Sequence, residues 1–160
     1  MKTAIIYCSK YGTTEKICQT IGSQLSEETE VTLYNLKEQV PVILDDYSVV
    51  ILGTPIYASK PRKEMVSFCS RNEEALLRKR LFLFVCGMDK EHAIEEIEKS
   101  YSPQLISHAV DTVFFTGEYL LDKMKYGDRL LLRMFFKVKE SQLNNYTNDV
   151  KIITDKIKTK

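Results

Sequence analysis

Residues 4–18 read AIIYCSKYGTTEKIC, and this stretch decides the fold. A short apolar run stops at Cys8, a hydroxyl cluster with one glycine follows, and apolar residues then recur at helical spacing. The run is β-branched and bounded by polar residues, which predicts a buried strand over residues 3–8. Ile17, Ile21 and Leu25 predict a helix over residues 13–25. The segment between them joins a strand to a helix N-terminus. Unpaired backbone N–H groups and the helix dipole favour an anion there.

Working outward, the chain predicts further strands over residues 30–35, 47–52, 81–86 and 110–116, and further helices over 61–77, 90–101, 129–138 and 145–157. Pro61 suits the first turn of its helix, with Met65, Phe68 and Cys69 turned inward. Ile94, Ile97 and Tyr101 form the apolar face of the next. Strands that alternate with helices, the central ones apolar throughout, specify a parallel sheet covered on both faces. The expectation is one α/β domain with an open, doubly wound sheet of five strands. In such sheets ligands bind at the carboxyl ends of the strands, near the switch point. Residues 9–14, 54–60 and 87–90 are therefore the segments where a site is expected.

The length of 160 residues suits one domain. The net charge of +1 gives no argument for nucleic acid. No apolar stretch approaches a transmembrane length. The first apolar run is too short for a signal-peptide core, so a cytoplasmic location is expected. Cys8, Cys18, Cys69 and Cys86 form no CxxC pair and lie away from His92 and His108. They are expected to be buried thiols, with no zinc site and no disulfide framework. Neither histidine is expected to be catalytic, and Asp89 is expected to cap the helix that follows it.

Ser9, Thr13 and Thr14 offer hydroxyls, and Gly12 lets the backbone approach a ligand closely. No GxxxxGK[ST] or GxGxxG pattern is present. The segment suits one terminal phosphate, or serves as an ordinary Ser/Thr helix cap.

The order strand, SKYGTT, helix, then ILGTPIY after the third strand and FVCGM after the fourth, resembles the flavodoxin family over essentially the whole chain. The resemblance implies strand order 2-1-3-4-5, an extra helical segment after strand five, and FMN as cofactor. It implies that the loop of Ser9, Lys10, Tyr11, Gly12, Thr13 and Thr14 holds the phosphate. Thr54, Pro55, Ile56, Tyr57 and Ala58 would run along the isoalloxazine, with Tyr57 stacked on it. Cys86, Gly87 and Met88 would meet its other side, where flavodoxins often carry a second aromatic. No catalytic side chain is expected, because the flavin carries the chemistry.

Two departures bear on function. Ordinary flavodoxins are strongly acidic, whereas Lys60, Arg62 and Lys63 stand beside the second loop here. Many also carry a glycine where this chain has Tyr57-Ala58, so a turn needing positive φ costs more. Both lean toward two-electron chemistry. From Arg129 to Val138 the sequence combines Arg129, Arg133 and Lys137 at four-residue spacing with an apolar arc of roughly 240°. Such a helix suits a membrane interface, the sheet, or a second copy of the chain. Gly117, Tyr119, Tyr126, Asp128, Arg129 and Lys137 give this region a texture similar to the menaquinone-dependent protoporphyrinogen dehydrogenases. That likeness implies electron transfer from a porphyrinogen through FMN to a quinone.

The leading reading is thus an FMN-dependent oxidoreductase with a redox partner protein, or with porphyrinogen and quinone substrates. The alternatives are a soluble one-electron carrier and a flavodoxin-like scaffold that binds no flavin. A receiver-type phosphoacceptor is excluded, since Gly53-Thr54 stand where its aspartate belongs.

Overall fold

A computed structural model describes residues 2–38, 41–118, 124–136 and 144–159. Strands β1 (Lys2–Tyr7), β2 (Glu30–Asn35), β3 (Val49–Tyr57), β5 (Arg80–Gly87) and β6 (Asp111–Thr116) form a parallel sheet in the order β2-β1-β3-β5-β6. A two-residue strand, β4 (Lys60–Pro61), pairs antiparallel with the end of β3. Setting that hairpin aside, the order is the expected one.

The period of two along each strand divides the core into two layers. Ile5, Ile51, Phe82 and Phe84 face Ile17, Ile21 and Leu25 of α1 (Thr13–Leu25) and Val150, Ile153 and Ile157 of α6 (Thr147–Lys158). Ile6, Leu52, Leu81 and Leu83 face the other way, toward Met65, Phe68 and Leu76 of α2 (Lys63–Leu76). Leu105 of α4 (Pro103–His108) and Tyr101 complete that layer. Each fully buried Ile, Leu or Phe contributes about 1.5–3 kcal/mol, so the sheet centre is the most stable part of the molecule. All four cysteines are buried and free, as expected.

The third strand departs from its expected end at residue 52. It continues through Gly53, Thr54, Pro55 and Ile56 to Tyr57, paired with β5 as far as Pro55–Cys86. A proline is tolerated there because β1 stops opposite Gly53, which leaves that side of β3 without a ladder. Pro61 does not open a helix. It sits on the edge strand β4 opposite Ile56, and α2 starts at Lys63. The expected loop thereby shrinks to Ala58-Ser59, whose φ values are 49° and 57°. A two-residue hairpin loop of the type I′ kind has positive φ at both positions, and pairing on either side imposes it here without a glycine.

Further differences follow from short range. α4 was not expected, although Ser102 caps it through Leu105 N and Pro103 opens it. α3 (Ala93–Ser100) follows a 3-10 turn over Lys90–His92, and Ile94 on it is 72% exposed rather than buried. Asp89 does cap that turn, accepting from Glu91 N. α5 (Tyr126–Phe136) starts three residues before the expected helix. Lys137 and Val138 lie outside the described residues, as does Tyr119.

Candidate functional site

The helices after β1 and β3 leave toward opposite faces of the sheet, so a crevice opens at the carboxyl ends of these strands. It is a cavity of about 550 Å³, within the range that holds a cofactor-sized ligand. The three segments singled out in the sequence converge on it. Ser9, Lys10, Tyr11, Thr13 and Thr14 from the first, Pro55, Ile56, Tyr57 and Ala58 from the second, and Cys86 and Met88 from the third all line it. Gly12, Thr54 and Gly87 stand in the same segments behind this lining.

The phosphate-type end is built from backbone. Gly12 is the N-cap residue of α1, with φ 98° and no side-chain cap. A side chain at that φ would be strained. The first-turn N–H groups of α1 are thus not satisfied by a cap and face the ligand side. Ser9 Oγ accepts from Gly12 N at 3.1 Å, which fixes the loop. Deeper in, the Thr54 and Tyr57 hydroxyls are buried without a hydrogen-bond partner among the described residues. The Thr14 hydroxyl acts on the Cys86 thiol but makes no full hydrogen bond. Buried hydroxyls are normally paired, so the two that line the cavity, Thr14 and Tyr57, mark where a polar ligand fits.

The aromatic side is already engaged. Lys10 Nζ lies 3.1 Å from the centroid of the Tyr57 ring, and Tyr11 meets Tyr57 edge-on at 6.3 Å. Lys10 also pairs with Asp128 of α5, and Tyr11 OH donates to the same Oδ2. A flat ring stacking on the Lys10 face of Tyr57 requires that ammonium to move.

Charge in the cavity runs opposite to the expectation drawn from Lys60, Arg62 and Lys63. None of those three lines it. Lys60 and Lys63 are exposed, and Arg62 pairs with Glu64 at 2.7 Å. The lining carries Asp89, Glu95, Glu96, Glu118 and Asp128 against Lys10, Lys99 and His92. His92 Nδ1 lies 2.7 Å from Asp89 Oδ2, which raises the histidine and holds the carboxyl below its usual range. Burial pushes the Cys86 thiol up to about 12, with the Glu118 charge adding to it, so it is no nucleophile at neutral pH.

Sequence reasoning missed Glu96 and Glu118. Glu118 follows β6 in a segment without regular structure, and α3 turns Glu96 and Ser100 inward where the stripe of Ile94, Ile97 and Tyr101 was expected, leaving Ile94 exposed. On α5, Tyr126, Leu130 and Met134 are 83%, 49% and 66% exposed. Their four-residue spacing makes an apolar line on the surface. Arg129 Nε donates to Met124 O at 3.1 Å. No helix among the described residues is long and apolar enough to cross a membrane.

Against known proteins, the profile of a family described as flavodoxin domain matches residues 4–145. A protoporphyrinogen IX dehydrogenase [quinone] of Leishmania major is 24% identical over 151 residues, 86% of this chain and 63% of that protein. The chain thus spans less than two thirds of the length of this curated relative. Among solved structures, a flavodoxin, WrbA-like protein of Agrobacterium tumefaciens superposes with a TM-score of 0.56 at 16% identity, covering 97% of this chain and 98% of that one. A Fusobacterium nucleatum flavodoxin mutant bound to flavin mononucleotide gives 0.52 at 18%, covering 98% and 92%. At such identities the superpositions establish the fold alone.

Proposed function

The chain belongs to the flavodoxin family, and from that premise we propose that it binds FMN in the cavity at the carboxyl ends of β1, β3 and β5 and works as a redox protein. One observation carries this: three segments far apart in sequence meet there, and two hydroxyls that line the space, those of Thr14 and Tyr57, are buried without a full hydrogen bond. Ser9, Thr13, Thr14 and the first-turn amides of α1 hold the phosphate. Tyr57 and Met88 flank the ring, and Ile56, Ala58, Cys86 and Gly87 shape its slot. When bound, the flavin supplies reversible transfer of one or two electrons. The protein binds, orients, shields from water and sets the field.

The finer reading is a dehydrogenase that takes electrons from a porphyrinogen and passes them to a quinone. The Leishmania relative supports it, since it matches 86% of this chain. The exposed line Tyr126, Leu130 and Met134 supports a lipid-borne acceptor. A one-electron carrier is the second reading. The acidic lining favours it, because negative surroundings disfavour a reduced, anionic ring and lower its potential.

The test starts with the visible spectrum of the purified protein and titration of the stripped protein with FMN. Flavin released as FMN, and quenching on rebinding, is the expected result. A colourless protein that leaves FMN fluorescence unchanged overturns the proposal. Anaerobic protoporphyrinogen then discriminates: bleaching of the bound flavin and recovery on adding a menaquinone analogue support the dehydrogenase. No bleaching, with ready reduction by a partner reductase, supports the carrier.

A further inference from the structure

Glu96 is a carboxyl in an unusual place. It is 6% exposed, lines the cavity, and its Oε2 has no hydrogen-bond partner among the described residues. It has no structural task of the usual kinds. The N-cap of α3 is His92, and Asp89 caps the turn before it. What makes room for it is Gly87: a Cβ there would collide with Glu96 Oε2 and with the Phe114 ring. The carboxyl thus fills the space a glycine leaves at the end of β5, in the segment that meets the ring side of the cavity.

A buried acceptor without a partner costs stability, and such groups in clefts are candidates for proton chemistry. Its surroundings set how it ionises. α3 packs on β4, β5 and β6. From these elements and their ends come the exposed Lys60, the buried Cys86, and Glu118, which lines the same cavity. Asp89 and His92 precede the helix, and Glu95 and Lys99 share it. Burial pushes Glu96 above the usual carboxylate range, the Asp89 charge adds to this, and Lys99 and His92 oppose it.

We propose that Glu96 is the proton acceptor coupled to reduction at this site: as an electron pair and one proton enter the bound ring, a second proton passes from water to the Glu96 carboxylate. This rests on the FMN reading above. The balance closes. An oxidised ring and a carboxylate, with two electrons from the donor and two protons from water, give a singly protonated, anionic reduced ring and a carboxylic acid. The charge of the pair is −1 before and after. The physical reason is like-charge repulsion: an anion arriving beside Glu96 raises its proton affinity further. The neutralised carboxyl then removes one negative charge from an acidic cavity, which makes two-electron reduction easier than the lining alone would allow.

The experiment is the pH dependence of the midpoint potential, with dithionite as reductant, for the FMN-loaded wild type, Glu96→Gln and Glu95→Gln. A two-electron couple moves by about 30 mV per tenfold change in proton concentration for each proton bound. The wild type is expected to bind two protons per electron pair over the window between the two ionisations of Glu96, about 60 mV per pH unit. Glu96→Gln binds one, halving the slope, while Glu95→Gln keeps the wild-type slope. Equal slopes in wild type and Glu96→Gln overturn the proposal, and so does a slope halved by Glu95→Gln as well, since that is a general field effect. Redox-difference infrared spectra of the wild type give a second readout: a protonated-carboxyl band must appear on reduction, and its absence overturns the proposal even if the variant does not fold. A wild type that leaves FMN fluorescence unquenched fails at the loading step, which identifies the flavin reading as the fault.

Discussion

Lys10 Nζ lies 3.1 Å from Asp128 Oδ2, joining the loop after β1 to α5 across 118 residues of chain. The carboxylate holds two side chains of the phosphate-type loop at once, since Tyr11 OH donates to the same oxygen. It also neutralises the cation of that loop. Asp128→Asn leaves Lys10 uncompensated beside the anion site. The expected result is FMN binding about fivefold tighter at low salt, from roughly 1 kcal/mol of screened attraction. Riboflavin, without the phosphate, is unaffected. Fluorescence-quenching titrations of both ligands measure this, and equal changes for the two would contradict it.

Thr14 gives a prediction of opposite sign for ligand and protein. Its hydroxyl is buried without a full hydrogen bond. Thr14→Ala removes an unsatisfied group, so the ligand-free protein keeps its melting temperature or gains slightly. FMN affinity falls about ten- to a hundredfold, the worth of one hydrogen bond to a charged ligand. A variant that loses stability and keeps its affinity makes Thr14 a packing residue.

Ala58 and Ser59 carry the strain of a hairpin without glycine, at φ 49° and 57°. A left-handed conformation costs a non-glycine residue roughly 1–2 kcal/mol, and a glycine in the unfolded chain returns up to about 1 kcal/mol of that as entropy. Ser59→Gly is therefore expected to stabilise by about 0.5–1 kcal/mol in urea denaturation. Ser59→Pro, whose ring forces a negative φ, breaks the β3–β4 pairing and destabilises.

Glu96 makes stability depend on pH in a direction unusual for a carboxylate. Its pKa is raised on folding, so the folded state holds the proton more tightly than the unfolded one. Its contribution is fully present below the ordinary glutamate pKa and is lost as pH rises through the folded value. Glu96→Gln removes that loss. The variant is expected to melt higher than the wild type at neutral pH, with the difference vanishing near pH 4. A constant difference across that range is the contrary outcome.

The thiols are expected to be silent in the native protein. Burial pushes Cys8, Cys69 and Cys86 each up to about 12, and Cys18 well above its ordinary value. A thiol-specific chromogenic reagent at pH 8 should label none of the four until denaturant is added, and then all of them. Labelling of one cysteine in the native protein would place it on a mobile element.

Much of the architecture was legible because it is local. Ile5-Ile6 and Val50-Ile51-Leu52 are apolar on both faces, which only a covered parallel sheet satisfies. Ile17, Ile21 and Leu25 announce their helix by period, and the five-strand order came with the resemblance they support. The loop proposed for the phosphate was recognisable for the same reason: Ser9, Gly12, Thr13 and Thr14 are neighbours in sequence, between a strand and a helix.

The rest depended on pairings that no window contains. Gly53 through Tyr57 read as a loop, yet β5 captured Thr54 and Pro55 and β4 captured Ile56 and Tyr57, because ladder hydrogen bonds outweigh the turn propensity of a Gly-Thr-Pro run. Lys60, Arg62 and Lys63 stood beside the expected site in sequence and do not line it in space. The charge around the cavity comes instead from Asp89, Glu96, Glu118 and Asp128, brought in by four separate segments. By itself the sequence determined the two covered layers and the strand-turn-helix unit that opens the chain, since these follow from the period and chemistry of adjacent residues, and the strand order came with the family resemblance. Only the tertiary structure decided the field of the site, the partner of Lys10 and the burial of Glu96, because electrostatics and burial act through distance in space and not along the chain.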